Sequence, residues 1–323
     1  MLEQSVETLL ISRKASSSIR VFSFGGGVQS HAALVLQAQG RLPLNYSLFM
    51  FANVGNDSEN PATLRYIEEY TKPFCRKHGI PFQEVQKTRY GQPDTLLESI
   101  YRDTRSVPIP AYQSGGSPGN RSCTVEFKLR TMDKALAEQG YSHAVYGVGF
   151  STDEFTRVRS DQEAWHYACE SFVQGKMPMK GESEASSTEA LFVHRVQATI
   201  KGKKHTGLQV RKEYPLITLR LTRSDCMRII TGAGLPMPPK SSCWFCPFHR
   251  KSEWIEMKRD EPELFAKALS VEARINEKRA DMGRDAMYLH SSAKPLLTSV
   301  GDQARLFEDD PIDYACKTGN CMT

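Results

Sequence analysis

No apolar run in this 323-residue chain approaches the length that crosses a bilayer, and the N-terminal residues lack the basic, apolar and small-residue order of a secretory signal. These two absences predict a cytoplasmic protein with no membrane partner. A reducing compartment excludes a disulfide framework, so the eight cysteines read as metal ligands or reactive thiols. Net charge is scarce too: 42 Lys and Arg against 37 Asp and Glu leave +5, a mild basic bias that suits a phosphate-bearing ligand or a nucleic acid without demanding either. No internal repeat is visible, which excludes a solenoid.

What is present begins with a strand-like run, Ile19-Arg20-Val21-Phe22-Ser23, that leads into Gly25-Gly26-Gly27-Val28-Gln29-Ser30 and then into the apolar helix pattern His31 to Leu36. Three glycines let the backbone turn tightly and bring several N–H groups close to an anion. The positive end of the helix dipole and the Ser23 and Ser30 hydroxyls add to the attraction. The loop has no Lys-Ser/Thr ending, which excludes a P-loop NTPase. Ser30 stands where a dinucleotide fingerprint needs its third glycine, and the next strand ends in Asn53 rather than an acid, which argues against a Rossmann dehydrogenase. A glycine turn that merely joins strand to helix is the plain alternative.

Residues 1–18 are a polar lead-in, and an α/β core occupies 19–160. After the first helix, Tyr46 to Phe51 reads as a buried strand, and Asn60-Pro61 opens a helix through about Lys77. Pro81 to Val85 and His143 to Val148 read as further strands. Strands alternating with helices imply a doubly wound parallel sheet with ligands at the strand carboxyl ends. Val107 to Arg121, rich in Pro, Gly and Ser, reads as a loop beside the site. Residues 161–213 break the alternation. They carry a Ser/Glu tract, Gly181 to Glu189, and a β-hairpin of Leu191 to Ile200 with Gly207 to Val210 around the basic Lys201-Gly202-Lys203-Lys204. Residues 214–323 form a helical, cysteine-bearing part with helices expected over Arg223–Gly232, Lys251–Lys258 and Pro262 to about Met282.

Cys243-Trp244-Phe245-Cys246-Pro247 places two thiols three positions apart in a turn, a spacing that binds one metal or one cluster. Cys123, after the Gly/Pro loop and before a helix, is the best third ligand. Cys169 and Cys226 read as small buried hydrophobes. Trp244, Phe245 and Trp254 shield the metal site, and His249 lies close enough in sequence to tune it. Arg157 and Arg159 follow the fourth strand, where their guanidinium forks can face phosphate. Asp153 and Glu154 are candidates for magnesium or for an arginine partner.

The glycine loop resembles the PP-loop of the ATP pyrophosphatase and phosphoadenosine-phosphosulfate (PAPS) reductase superfamily, Ser-Gly-Gly-x-Asp-Ser, with Gly25 for the first Ser and Gln29 for the Asp. Four further segments resemble that superfamily, in its order. Phe51 to Gly55 with Asn60 to Thr63 is similar to the Asp-Thr-Gly and Pro-Glu-Thr segments. Arg121 to Thr124 with Lys128 is similar to the Cys-Cys segment, with Ser122 for its first cysteine. Gly147-Val148-Gly149 with Asp153, Glu154 and Arg157 is similar to Gly-x-Arg-x-x-Glu. Lys240 to Pro247 is similar to the CxxC-Pro segment of the cluster-bearing members.

The resemblance implies an adenine nucleotide alpha-hydrolase-like fold and a nucleotide site of Ser23, Gly25, Gly26, Gly27, Gln29, Ser30, Asn53, Gly149, Asp153 and Arg157. It implies ATP, or PAPS/APS as substrate, with Mg2+. It also implies a 4Fe-4S cluster on Cys123, Cys243 and Cys246, with Zn2+ as the alternative and Cys75, Cys316 or Cys321 as candidates for a fourth ligand. Three cysteines are similar to the set of tRNA-thiolating PP-loop enzymes. The leading expectation is therefore a sulfur-transfer enzyme that adenylates its substrate, a tRNA or DNA, with a cysteine desulfurase as sulfur donor and a homodimer as assembly. A PAPS/APS reductase that releases sulfite and a non-catalytic nucleotide-, metal- and nucleic-acid-binding protein are the alternatives. Catalytic thiols are placed at Cys316 and Cys321 in the tail, although the reductases' Glu-Cys-Gly segment is missing there.

Overall fold

The computed structural model describes residues 17–154, 201–202 and 206–301. Strand β1 (Ser18–Phe24) enters the glycine turn and leaves it as helix α1 (Val28–Ala38). Strand β2 (Leu48–Asn53) is buried at all six positions, as a central strand covered on both faces must be. Helix α2 (Pro61–Tyr66) starts as its sequence predicts: the Asn60 side chain accepts from the Ala62 N–H at 2.8 Å and Pro61 occupies the first turn. It continues through a π-helical turn, Ile67–Thr71, into α3 (Lys72–Lys77). Strand β3 (Phe82–Gln86), a small hairpin of β4 (Thr88–Arg89) and β5 (Gln92–Pro93), helix α4 (Leu96–Tyr101) and β6 (Tyr112–Gln113) follow. A second π-helical segment, Thr124–Leu129, runs into α5 (Arg130–Glu138), and β7 (His143–Val148) comes next.

The strand order is β3-β2-β1-β7-β9-β8, where β8 is Lys201–Gly202 and β9 is Gln209–Glu213. The first five of these run parallel, and only β8 is antiparallel to its neighbour. This is an α/β fold with a parallel sheet between helices. From β1 the chain winds outward through β2 to β3, then crosses to β7 on the other side, so the switch point lies between β1 and β7. A crevice opens there at the carboxyl ends. β9 is both one arm of the expected hairpin and the fifth parallel strand. The other arm, Leu191 to Ile200, and the Ser/Glu tract lie outside the described residues, as do Lys203 and Lys204.

One face of the sheet packs on α1 and on the helix α7 (Arg223–Gly232), which follows the short helix α6 (Pro215–Thr218); Phe22, Phe49, Ala32, Leu36, Cys226 and Ile230 share that core. The opposite face packs on α5 through Met132 and Leu136. Against the carboxyl end lies a third core in which Val54, Leu96 and Phe127 meet Trp244 and Phe245. Helices α8 (Lys251–Asp260), α9 (Pro262–Asp281) and α10 (Leu296–Val300) complete it. The Val107 to Arg121 loop is tied to this core by β6, which pairs antiparallel with β10 (Met287–Tyr288). Gly147 is required in β7, because a Cβ there would lie 2.5 Å from the Tyr46 ring.

His31 sits wholly inside the core between α1 and the π-helical turn. Its Nδ1 lies 2.9 Å from the Gly27 carbonyl, which can only accept, so Nδ1 carries the proton and Nε2 accepts from the Thr71 hydroxyl at 2.8 Å. Burial drives its pKa down to about 4 despite the opposing bond to Gly27. The unfolded residue titrates near 6.5, so between about pH 6.5 and about pH 4 the unfolded chain binds more protons. The neutral imidazole's contribution is complete above that window and falls away within it, by up to ~3 kcal/mol. Urea unfolding at about pH 7 and about pH 4.5 is expected to show this loss, and His31→Gln to remove that part of the pH dependence. An unchanged slope in the variant would contradict the assignment.

Candidate nucleotide and thiol site

A cavity of about 380 Å³ opens at the switch point. Its floor is the end of β1 and the glycine loop, including Ser23, Gly25, Gly27, Gln29 and Ser30. Gly149 and Phe150, just past β7, form one wall, and Lys240 and Ser241 form the other. Gly26 makes the turn possible, because its φ of +79° is a left-handed conformation and a Cβ there would lie 3.0 Å from Thr63 Cγ2. Helix α1 begins at Gly27 with no side chain capping its N–H groups, so its positive end is open toward the cavity. Ser23 Oγ lies 3.8 Å from Met132 Sδ, and Ser30 Oγ donates to the Gly27 carbonyl at 2.9 Å.

The lining is strongly charged. Lys128, Lys212, Arg223, Lys240 and Arg250 face it together with Asp133, Glu154 and Glu253. Lys240 Nζ donates to Glu253 Oε2 at 2.6 Å, and His249 Nδ1 lies 3.4 Å from the same oxygen. Burial alone would raise the Glu253 carboxyl, but His249 and the Lys240 ammonium hold it at about 2. The loop residue Gln29 is bound at both ends: its amide donates to Glu154 Oε2 at 2.9 Å, and its carbonyl accepts from Arg223 Nη1 at 3.1 Å.

The thiol segment is fastened to the same loop. Ser241 Oγ donates to the Gly25 carbonyl, and the Ser242 carbonyl accepts from the Asn60 N–H at 3.3 Å. Cys243 then pairs as an antiparallel bridge with Glu59, and Trp244 Nε1 donates to the Asp57 carbonyl at 2.7 Å. Within the CxxC turn, the Cys243 carbonyl accepts from the Cys246 N–H at 3.0 Å and from His249 Nε2 at 2.9 Å. Cys123 is anchored by its own N–H, which donates to the Pro108 carbonyl at 2.7 Å. The Arg121 guanidinium, two residues earlier, lies 5.1 Å from the centre of the Phe248 ring and so joins the Cys123 loop to the CxxC segment. Burial pushes the Cys123 thiol upward, against the pull of Lys128 and Arg121.

Cys123, Cys243 and Cys246 are partly buried, and the first two pack on the aromatic core with Trp244 and Phe245. Among the described residues no three His, Cys, Asp or Glu side chains converge on a single metal ion. A zinc ion needs thiolates about 2.3 Å from one centre, so no zinc site is preformed among them. An iron–sulfur cube takes its cysteines on separate irons and does not need that convergence. Three soft thiols, two of them packed on the aromatic core, are the kind of donor that an iron–sulfur cluster takes.

Not every residue expected at the nucleotide site is placed there. Asn53 bonds Gly55, Asn56 and Glu84 and organises the turn after β2, away from the cavity lining. Asp153 is exposed, and its carboxylate accepts from the Arg223 N–H at 2.8 Å at the start of α7. Cys75 is buried in α3, and burial pushes its thiol up to about 12. Arg157, Arg159, Cys169, Cys316 and Cys321 lie outside the described residues. Sequence reasoning missed Arg223 and Glu59. Arg223 reads as an ordinary helix start. Glu59 is hidden in the polar run Asn56-Asp57-Ser58-Glu59-Asn60, yet it is wholly buried, with Lys128 Nζ 3.9 Å from its carboxylate; burial pushes that carboxyl upward.

No family model and no curated protein matches the chain. Among solved structures it is similar to "U34-tRNA thiolase NcsA from Methanococcus maripaludis" with its 4Fe-4S cluster, at 14% identity over 82% of this chain and 74% of that one, with a TM-score of 0.35. At that identity and TM-score the likeness assigns neither substrate nor cofactor to this chain.

Because Ser241 fastens the thiol segment to the glycine loop, Ser241→Ala is expected to cost ~1 kcal/mol and to loosen both segments together. Hydrogen–deuterium exchange would show faster exchange at residues 25–29 and at residues 243–246 in the variant. Faster exchange at only one of the two would contradict the tie.

Proposed function

We propose that the chain is a nucleotide-dependent sulfur-transfer enzyme of the PP-loop kind, in which ATP activates an oxygen-bearing carbon of the substrate for replacement by sulfur. The observation that carries this reading is the bond from Ser241 to Gly25, which ties the segment leading into the cysteine turn to the phosphate-type loop, with Ser241, two residues before Cys243, lining the cavity. The open end of α1 and the loop N–H groups suit the outer phosphates. Lys128, Lys240 and Arg223 suit the charge that builds on the phosphates as a substrate oxygen attacks the α-phosphorus and pyrophosphate leaves. A sulfur nucleophile then adds to the activated carbon, and AMP leaves with the original oxygen. Cys123, Cys243 and Cys246 would hold an iron–sulfur cluster, which when bound supplies an iron able to carry sulfur. Trp244 and Phe245 pack in the core against which Cys123 and Cys243 lie.

A nucleic-acid substrate is supported by the hairpin of β4 and β5. Its tip presents Tyr90, 92% exposed, with the Arg89 guanidinium 5.2 Å from its ring centre. An open aromatic face beside a cation is a stacking platform for an unpaired base.

Two measurements test the reading. Anaerobically purified protein is expected to be coloured and to carry iron and sulfide, both lost in Cys243→Ala; a colourless, zinc-loaded wild type would contradict the cluster. With bulk tRNA and sulfide, ATP is expected to yield AMP and pyrophosphate. Release of ADP and phosphate, or no ATP binding at all, would overturn the activity.

A further inference from the structure

The glycine loop carries no acid, yet a nucleotide's outer phosphates normally arrive with a divalent cation that needs one or two carboxylates besides phosphate and water oxygens. Three carboxylates line the cavity, and two are committed to neighbours away from the loop. Glu253 is held by Lys240 and His249 and also accepts from the Arg250 N–H at 2.7 Å. Asp133 accepts from the Tyr146 hydroxyl at 3.1 Å. Glu154 is also partnered, its Oε2 accepting from the Ser151 N–H at 3.4 Å and the Ser151 hydroxyl at 3.5 Å, but it is 3% exposed and touches the loop itself, because the Gln29 amide donates to the same oxygen at 2.9 Å. The strand end brings it there, since a Cβ on Gly149 would lie only 3.5 Å from the Ser30 nitrogen.

Resting on the proposed nucleotide reading, we infer that Glu154 is the carboxylate that receives the divalent cation accompanying the bound nucleotide, with Gln29 as the positioning residue that sets it against the loop. A glutamine suits this position for a stated reason. Its donating end satisfies Glu154 and its accepting end satisfies Arg223, so anion and cation are held on opposite sides of one neutral side chain. A carboxylate at position 29 would instead face Glu154 at hydrogen-bonding distance, and the two like charges would repel. Arg223 is fixed a second time where its N–H donates to Asp153, so the adjacent acids divide the work: Asp153 holds the helix start and Glu154 turns inward.

Calorimetric titration of ATP with Mg2+ and with EDTA tests this in the full chain. Wild type is expected to bind ATP more tightly with Mg2+. Glu154→Gln is expected to lose about tenfold of that gain, the ratio of its affinities with Mg2+ and with EDTA falling toward one. The reversed pair, Gln29→Glu with Glu154→Gln, puts amide and carboxylate back in contact the other way round and is expected to recover the gain; Gln29→Glu alone is not. If wild type binds no ATP, the nucleotide reading fails and takes this inference with it. If wild type binds ATP and Glu154→Gln keeps the full Mg2+ gain, the inference alone fails. Should Glu154→Gln not fold, Mn2+ EPR with ATP gives the same decision from wild type and Gln29→Ala, with weaker Mn2+ retention expected in the variant and equal retention overturning the inference.

Discussion

A hydroxyl of Ser241 donating to the carbonyl of Gly25 joins two segments 216 residues apart, and the site depends on it. The glycine loop takes its shape from β1 and α1. The cysteine turn belongs to a separate core with α8 and α9. The Ser241 bond, the Ser242 to Asn60 bond and the Cys243 bridge to Glu59 dock the second on the first along one line, which runs from Ser241 in the cavity wall to Cys243 two residues on. Gly26 makes room for that line, because the space a Cβ would need is filled by Thr63 and by Ser241 itself.

The second constraint is charge in a confined space. A cavity bearing five cations would resist closing around them, so the fold sets acids among them: Glu253 with Lys240, Glu59 near Lys128, and the Glu154–Gln29–Arg223 chain. Such pairs contribute little net stability once desolvation is counted. What they contribute is position, since each long side chain is held at one end and presents its charge from a defined place.

Much of this was legible in the sequence because it rests on local chemistry. The run before Gly25, the Asn60-Pro61 helix start, His143 to Val148 and Arg223 to Gly232 are each written in adjacent residues, and each is found where expected. What was not legible depends on meetings between distant segments. Asn53 and Asp153 have the right chemistry at strand ends, but neighbours claim both: the first closes a turn on itself and the second caps a helix seventy positions on. Glu59 looks solvated in its polar run and is buried where it bridges to Cys243 and meets Lys128. Gln29 reads as a loss when only the loop is considered, and as a two-ended clamp once Glu154 and Arg223 are beside it.

The central claim is that nucleotide and thiols share one site. Alkylation of cysteines in protein stripped of metal by a chelator, followed residue by residue by mass spectrometry with and without saturating ATP, tests it most directly. The account predicts that ATP slows labelling of Cys243 and Cys246 several-fold, leaves the buried Cys75 and Cys226 unchanged, and gives no protection in Gly26→Ala, whose loop cannot close on phosphate. Labelling of Cys243 and Cys246 at the same rate with ATP bound would contradict it.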